Sequence, residues 1–291
     1  MSVRGELVKL EDGGHLAFDE YGDPEGEPVI FCHGWPSSRS MAELTDEAAR
    51  ELRVRIISPD RPGISGSSFK AERTLAEWPE VVRKLAAHLG LEKFRLLAIS
   101  GGAPYAYAAA WALSDQVTAA AIVSGAPPIA DLQDQSGLLR LYRWMLALHG
   151  HSPALLRALF HVARPFATIR PPTHLHPVLL KFLHPTDAAA LRETAAFDAC
   201  YESSRHAWRN SARGVIADAE IYARPWGFRL DEVQVPISLW HGTHDRAFSY
   251  RLAEELATQL PSCRLRIVEG AGHYSLPIRH LREILADLIA T

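Results

Sequence analysis

A serine stands where an apolar run meets a pair of glycines, in the stretch LLAISGGAPYAYAAAWAL at positions 96–113. The segment 94–99 is short and apolar, which predicts a buried strand, whereas the Ala-rich segment 103–113 predicts a helix. Ser100 therefore lies at a strand-to-helix corner. A serine there can cap the helix, and Pro104 suits the first helical turn, but a hydroxyl held out on a tight turn can also act as a nucleophile.

Three further segments follow apolar runs and carry residues suited to acid–base chemistry. They are HGWP at 33–36, WHGTHD ending at Asp245, and GAGHYS, which contains His273. A hydroxyl becomes an effective nucleophile when a base removes its proton. An imidazole titrates in the right range for this, and a carboxylate fixes its tautomer. Ser100, Asp245 and His273 therefore predict a nucleophile, an orienting acid and a base, provided that the fold brings them together.

Strand-like and helix-like segments alternate along most of the chain. Two strand patterns that meet at Asp12, Gly13 and Gly14 predict an N-terminal hairpin. Beyond it, short apolar runs alternate with helix-like stretches, an order typical of a mostly parallel sheet with helices on both faces. The carboxyl ends of such strands meet at one edge of the sheet, where ligands gather. The predicted strands of this part cover 28–34, 54–60, 94–100, 118–125, 236–242 and 263–270.

The pattern changes between 127 and 230, where no clear strand is found. Helix-like pieces, interrupted by RPPTHLHP at 170–177, fill this part of the chain. We interpret it as a helical cap inserted into an α/β core formed by 1–126 and 231–291. Five aromatic residues of the cap either line an apolar pocket or hold the cap on the core. They are Trp144, Phe160, Phe166, Trp208 and Trp226.

Composition indicates an ordinary globular protein. The 291 residues include 31 basic and 34 acidic side chains, and 47% are hydrophobic. With no run of like charge, this balance argues against a nucleic acid or an anionic membrane as partner. The first thirty residues lack the apolar core of a signal sequence and no stretch reaches eighteen apolar residues, so we expect a cytoplasmic protein. The oligomeric state is left open.

Neither the cysteines nor the cap histidines indicate a metal or a cofactor. Three scattered cysteines are too few for a disulfide framework or a thiolate site, so we expect Cys32, Cys200 and Cys263 to be small buried side chains. The cap histidines lie among prolines without a recognisable ligand spacing, and we expect no metal and no cofactor. These histidines are His149, His151, His161, His174, His176 and His184.

The order of serine, acid and histidine on this topology resembles the α/β-hydrolase superfamily over nearly the whole predicted core. In that family the nucleophile lies in the motif G-x-S-x-G. Residues 98–102 read AISGG, with alanine, which adds one methyl group, in place of the first glycine. DRPGISGSS, at 60–68, also resembles the family's loop before the second helix. The resemblance implies a mostly parallel sheet with helices on both faces and a helical cap insertion.

The resemblance also assigns roles to individual residues. It implies that Ser100 is the nucleophile, His273 the base and Asp245 the acid that orients the base. In the family, two backbone N–H groups stabilise the oxyanion of the tetrahedral intermediate. One belongs to the residue after the nucleophile and one to the loop after an early strand. In this sequence those residues are Gly101 and Trp35.

We therefore predict a serine hydrolase that cleaves a carboxylic ester or a related acyl bond through an acyl-enzyme, on a small-molecule substrate with an apolar group. Relatives that open epoxides or remove halides use aspartate at the corner, so Ser100 argues against those reactions. Three alternatives stay open: a small-molecule receptor or regulatory module that retains the three side chains, a carbon–carbon bond hydrolase, and an aminopeptidase-like relative. The glycine- and tryptophan-rich corner of proline iminopeptidases, which are similar in layout, is absent.

Overall fold

The computed structural model describes residues 4–291, and within them eight strands form a single sheet. The strands are β1 (Glu6–Lys9), β2 (His15–Gly22), β3 (Glu27–Cys32), β4 (Val54–Pro59), β5 (Phe94–Ile99), β6 (Val117–Val123), β7 (Ile237–Gly242) and β8 (Cys263–Val268). Their spatial order is β1-β2-β4-β3-β5-β6-β7-β8. β2 pairs antiparallel with β1 and with β4, whereas the pairs from β4 to β8 are all parallel. The predicted hairpin and the mostly parallel sheet are both confirmed.

Both faces of the sheet are buried, which explains why its central strands read as unbroken apolar runs. Successive side chains of a strand point to opposite faces. Ile30 of β3 and its register partner Leu96 of β5 enter the core on one face. Val29 and Leu97 enter the core on the other face. A strand with alternating polar residues would leave one of these two cores incomplete.

Eleven α-helices accompany the sheet within residues 4–291. They are α1 (Asp46–Glu51), α2 (Trp78–His88), α3 (Ala103–Ala112), α4 (Arg140–His151), α5 (Pro153–Thr168), α6 (His176–Leu180), α7 (Pro185–Ala190), α8 (Thr194–Arg209), α9 (Arg213–Tyr222), α10 (Tyr250–Gln259) and α11 (Ser275–Ile289). Helices α2, α3 and α10 pack on one face of the sheet, and α1 and α11 pack on the other. This arrangement confirms the predicted α/β fold class.

Helices α4 to α9 lie between β6 and β7, and no strand of residues 4–291 falls in that stretch. The expected helical cap insertion is therefore present, while its boundaries at 127 and 230 stay a prediction. Residues 1–3 of the predicted core lie outside the described part of the chain. Cys32 is buried as expected, but Cys200 and Cys263 are only partly so. None of the helices within residues 4–291 is long and apolar enough to cross a bilayer.

The packing of β5 predicts a large loss of stability in the variant Leu96→Ala, because the Leu96 side chain is fully buried. We expect the free energy of unfolding to fall by about 2–5 kcal/mol, through lost burial and the cavity left behind. The matched variant Leu7→Ala, in β1, truncates a side chain that is 54% exposed and should change stability little. Urea denaturation followed by circular dichroism measures both. Equal losses would contradict this placement of β5 in the core.

Candidate active site

Ser100 lies directly after β5 and has a φ angle of +54°, in the left-handed region that residues other than glycine rarely adopt. The unusual dihedral angle therefore falls on the serine itself and not on the two glycines that follow it. Gly102 is required for a different reason. A Cβ at this position would lie 2.0 Å from the carbonyl oxygen of Cys32 at the end of β3. Close backbone contact between neighbouring strand ends thus holds the corner that presents the Ser100 hydroxyl.

A chain of hydrogen bonds joins Ser100 to His273 and Asp245. The Oγ of Ser100 lies 2.9 Å from Nε2 of His273, and Nδ1 of His273 lies 2.8 Å from Oδ2 of Asp245. A carboxylate accepts hydrogen bonds, so Nδ1 carries the proton of the neutral ring and Nε2 is free to accept the hydroxyl proton of Ser100. The structure thus brings together the three side chains that the sequence placed at separate strand ends.

The side chain of Asp245 is fully buried, and both of its oxygens accept hydrogen bonds. Its Oδ1 accepts hydrogen bonds from the backbone N–H groups of Ala247 (2.7 Å) and Phe248 (3.0 Å). Its Oδ2 also lies 3.2 Å from Nε2 of His241. Burial acts to raise the pKa of the Asp245 carboxyl, but the charges and hydrogen bonds of His273 and His241 outweigh it and hold the pKa below its usual range. The carboxylate therefore stays ionised and fixed in orientation.

The imidazole of His273 is shifted toward greater basicity. Burial acts to lower its pKa, but the negative charge and the hydrogen bond of Asp245 outweigh burial, so the pKa of His273 lies above its ordinary value. A ring with this partner takes up a proton from Ser100 more readily than a free imidazole would.

The backbone N of Trp35 lies close to Gly101 at the same corner. A Cβ built on Gly101 would lie 3.1 Å from the backbone N of Trp35, so the two residues are in contact. The N–H of Trp35 donates to no acceptor among residues 4–291. The hydroxyl of Tyr222 in α9 donates to the carbonyl oxygen of Gly101 (2.8 Å) and holds that peptide from the cap side. No backbone carbonyl within residues 4–291 therefore occupies the Trp35 N–H.

A buried arginine that the sequence analysis missed supports the loop that carries Trp35. Arg61 donates from Nη1 to the carbonyl oxygen of His33 (2.6 Å) and from Nη2 to that of Gly34 (2.8 Å). Its Nε donates to Oδ2 of Asp218 in α9 (2.8 Å). In the sequence, only the segment DRPGISGSS drew attention to Arg61, and it does not indicate which residues the guanidinium group binds.

Asp218 connects the cap to the core through two arginines. Besides Arg61, it accepts hydrogen bonds from Arg73 and from the hydroxyl of Tyr105, the latter at 2.7 Å. The Asp218 side chain is fully buried. Burial acts to raise the pKa of Asp218, but the two guanidinium groups outweigh it and lower the pKa below its usual range. The carboxylate is therefore ionised, and α9 is tied by charge to the loop beside Ser100.

Two cavities open beside Ser100. The first is lined by Gly101 and, in the cap, largely by apolar side chains of α4 and α9, namely Tyr142, Met145, Leu146, Ala219 and Tyr222, and by Ala223 just after α9, with His149 as its one basic group. The second is lined by His273 and three serines, Ser37, Ser203 and Ser204, and also by apolar side chains such as Met41, Leu44 and Ile278. Within residues 4–291, no three His, Cys, Asp or Glu side chains converge as a metal site would require.

The five cap aromatics do not line the first cavity, contrary to one of the two interpretations of the sequence. Trp144 and Phe166 are 52% and 73% exposed. Phe160 stacks on Trp208 and contacts the ring of Trp35 edge-on, behind the cavity wall. The helical pattern predicted where the helices lie, but not which face of each helix turns toward Ser100.

Comparison with known proteins agrees with this fold. The sequence model of the family described as alpha/beta hydrolase fold matches residues 27–278. The chain belongs to the α/β-hydrolase family. This hydrolase is 25% identical over 265 residues to a proline iminopeptidase of Lactobacillus helveticus, a match that covers 86% of this chain and 85% of the relative.

Solved structures of other proteins have the same architecture as this α/β hydrolase. An esterase from Exiguobacterium antarcticum superposes with a TM-score of 0.70 at 18% identity, covering 99% of this chain and 100% of the other. An enol-lactonase from Burkholderia xenovorans LB400 superposes with a TM-score of 0.71 at 16% identity, covering 98% of this chain and 100% of the other. At such identities the likeness shows the fold alone.

The buried ion network predicts a strong effect of Asp218→Ala on the stability of this α/β hydrolase. We expect the free energy of unfolding to fall by about 3–5 kcal/mol, because Arg61 and Arg73 would stay buried without their counter-charge. The control Asp231→Ala removes a solvent-exposed carboxylate that also pairs with an arginine, Arg229, and should leave the unfolding midpoint unchanged. Urea denaturation measures both variants. A small effect of Asp218→Ala would contradict the role of the network in joining cap and core.

Proposed function

We propose that this chain is a serine hydrolase that cleaves a carboxylic ester or a related acyl bond through an acyl-enzyme on Ser100. The observation that carries the proposal is the hydrogen-bonded chain from Ser100 through His273 to the buried Asp245, at 2.9 and 2.8 Å. These contacts match what acyl transfer requires, namely a hydroxyl beside a ring nitrogen that can accept its proton and a carboxylate beside the other ring nitrogen.

The proposed reaction has two similar halves. In the first, the Oγ of Ser100 bonds to the carbonyl carbon while its proton passes to Nε2 of His273, and the carbonyl oxygen becomes an oxyanion that accepts hydrogen bonds from the N–H groups of Trp35 and Gly101. The bond to the leaving oxygen then breaks, and the alcohol departs with the proton from His273. In the second, water gives a proton to His273 and attacks the acyl carbon. The bond between that carbon and Oγ then breaks, and His273 returns the proton to Oγ, which releases the acid and restores the Ser100 hydroxyl.

The two cavities support a division of the substrate into an apolar acid part and a more polar alcohol part. His273 has to protonate the leaving oxygen, and of the two cavities it lines the one that holds the serine hydroxyls. The other cavity contains Gly101, whose N–H would bind the carbonyl oxygen, and is otherwise largely apolar. We therefore place the acyl chain between α4 and α9, and the alcohol on the His273 side.

The similarity to a proline iminopeptidase raises an aminopeptidase as a second candidate. Such an enzyme holds the charged amino terminus of a peptide, and a buried ammonium group requires an acidic partner. No aspartate or glutamate within the described residues lines either cavity. The cavities therefore favour an uncharged acyl group. Two further alternatives differ from an esterase in what they cleave. A carbon–carbon bond hydrolase would cleave a carbon–carbon bond in preference to an ester, and a receptor that retains the three side chains would bind a small molecule without cleaving it.

The first test compares the wild type with Ser100→Ala. We expect the wild type to hydrolyse p-nitrophenyl esters and to react with a fluorophosphonate probe, and the variant to lose about 10⁴-fold or more in kcat/KM together with all labelling. Ser124→Ala is a matched control, since Ser124 is also a buried serine with a positive φ angle (+48°), at the end of β6. It should keep both activities.

A wild type that neither reacts with the probe nor turns over any of a panel of esters, thioesters and amides would contradict the proposed function. Binding of a small molecule without turnover would then favour the receptor.

The second test addresses the two sides of the substrate. In Ala219→Leu, three added carbon atoms would occupy the apolar cavity, so kcat/KM for hexanoate relative to acetate esters should fall about tenfold or more. Ser204→Leu, on the other side, should leave this ratio unchanged and lower kcat/KM for bulky alcohols instead. Steady-state kinetics on matched ester series measures both effects. A reversed pattern would contradict the assignment of the two sides.

A further inference from the structure

A buried carboxylate of the cap accepts hydrogen bonds from the loop that carries His273. Asp187 in α7 is 3% exposed. Its Oδ2 accepts a hydrogen bond from the backbone N–H of His273 (3.1 Å), and its Oδ1 accepts from those of Tyr274 (3.0 Å) and Ser275 (2.8 Å). These N–H groups open helix α11, where unpaired donors and the helix dipole favour a negative charge. Asp187 thus holds the main chain of His273 at the start of a core helix.

Gly272 explains how the carboxylate comes so close. A Cβ at this position would lie 2.4 Å from Oδ1 of Asp187. The N–H of Gly272 instead donates to the side-chain oxygen of Ser275, at 2.8 Å. The glycine before His273 in the segment GAGHYS is therefore the residue that allows a cap side chain to contact this loop directly.

Packing around Asp187 joins the same two parts of the molecule. Ala188 in α7 and Leu191 just after it belong to an apolar cluster that includes Tyr274 and Ile278 of the core. Asp187 lines neither of the two cavities beside Ser100. Its effect on a reaction would therefore pass through His273 and not through contact with substrate.

We propose that Asp187 is a positioning residue that couples the seating of the cap on the core to the placement of the His273 imidazole beside Ser100. The inference rests on the proposed function, in which His273 is the base. His273 is held twice, by Asp187 at its backbone and by Asp245 at its ring. When α7 is packed on the core both contacts exist; a cap that lifts away removes the first and loosens the base.

The negative charge of Asp187 also affects the pKa of the His273 imidazole. The titratable groups around His273 are Asp245 after β7, Asp187, Tyr274 of its own loop, whose ring centroid lies 5.5 Å away, and Tyr142 of α4, which lines the second cavity with it. Burial acts to lower the pKa of His273, whereas Asp245 and, to a smaller extent, Asp187 raise it. Burial raises the pKa of Tyr142 to about 12 and also that of Tyr274, so both phenols stay neutral. The basic groups that lie near α7 are His184, His244 and Arg246.

The variant Asp187→Asn tests the coupling. Its amide oxygen still accepts from Tyr274 and Ser275, but its NH₂ group faces the N–H of His273, and the negative charge is gone. We expect kcat to fall about tenfold to a hundredfold with little change in KM, because the base is displaced while the cavities are intact. The acid limb of kcat/KM against pH should move to lower pH, since removal of a nearby negative charge lowers the pKa of His273. The phosphonylation rate of Ser100 should fall with kcat.

Asp198→Asn is the matched control, because Asp198 is a cap carboxylate in α8 that pairs with Arg170 and does not contact the His273 loop. It should leave kcat, KM and the acid limb unchanged. Urea denaturation of each variant gives its folded fraction. An Asp187→Asn enzyme with unchanged kcat and an unmoved acid limb would overturn the inference.

A loss of activity that only tracks the folded fraction, with an unmoved acid limb, would overturn the inference as well. A wild type without turnover or labelling would instead defeat the proposed function, so the two failures are distinguishable.

Discussion

The hydrogen bond between Ser100 and His273 sets the strictest geometric requirement on this fold. The two residues are 173 positions apart, and their side chains meet at 2.9 Å. Such a contact requires that β5, β7 and β8 end at the same edge of a parallel sheet, and that the serine accept a left-handed backbone conformation to face that edge. Burial of both faces of the sheet supplies the stability that offsets this local strain.

The cap contributes two buried carboxylates, one on each side of this contact. Asp218 acts on the loop of Trp35 through Arg61, and Asp187 bonds to the main chain of His273. The groups proposed to stabilise the oxyanion and to accept the proton are therefore both held in part by cap residues. In our account the cap does more than enclose the substrate, because correct packing of α7 and α9 completes the geometry around Ser100.

Much of the fold was predictable because its signals are local. Apolar runs separated by helix-like segments indicated the sheet, and the rule that parallel strands share one carboxyl edge placed Ser100, Asp245 and His273 together. The roles of Asp187 and Asp218 were not predictable, because their partners lie far away in the sequence and are met only when the cap packs on the core. The same holds for Trp144, whose helix was predicted but whose outward direction depends on that packing.

The position of the acyl group during turnover decides whether Ser100 is the nucleophile. A p-nitrophenyl ester is mixed with the wild-type protein, the reaction is quenched with acid during the initial burst, and proteolytic peptides are analysed by mass spectrometry. We expect the peptide containing Ser100 to gain the mass of the acyl group, and longer incubation without fresh ester to remove it. An acyl group carried by any other residue during turnover would contradict the account.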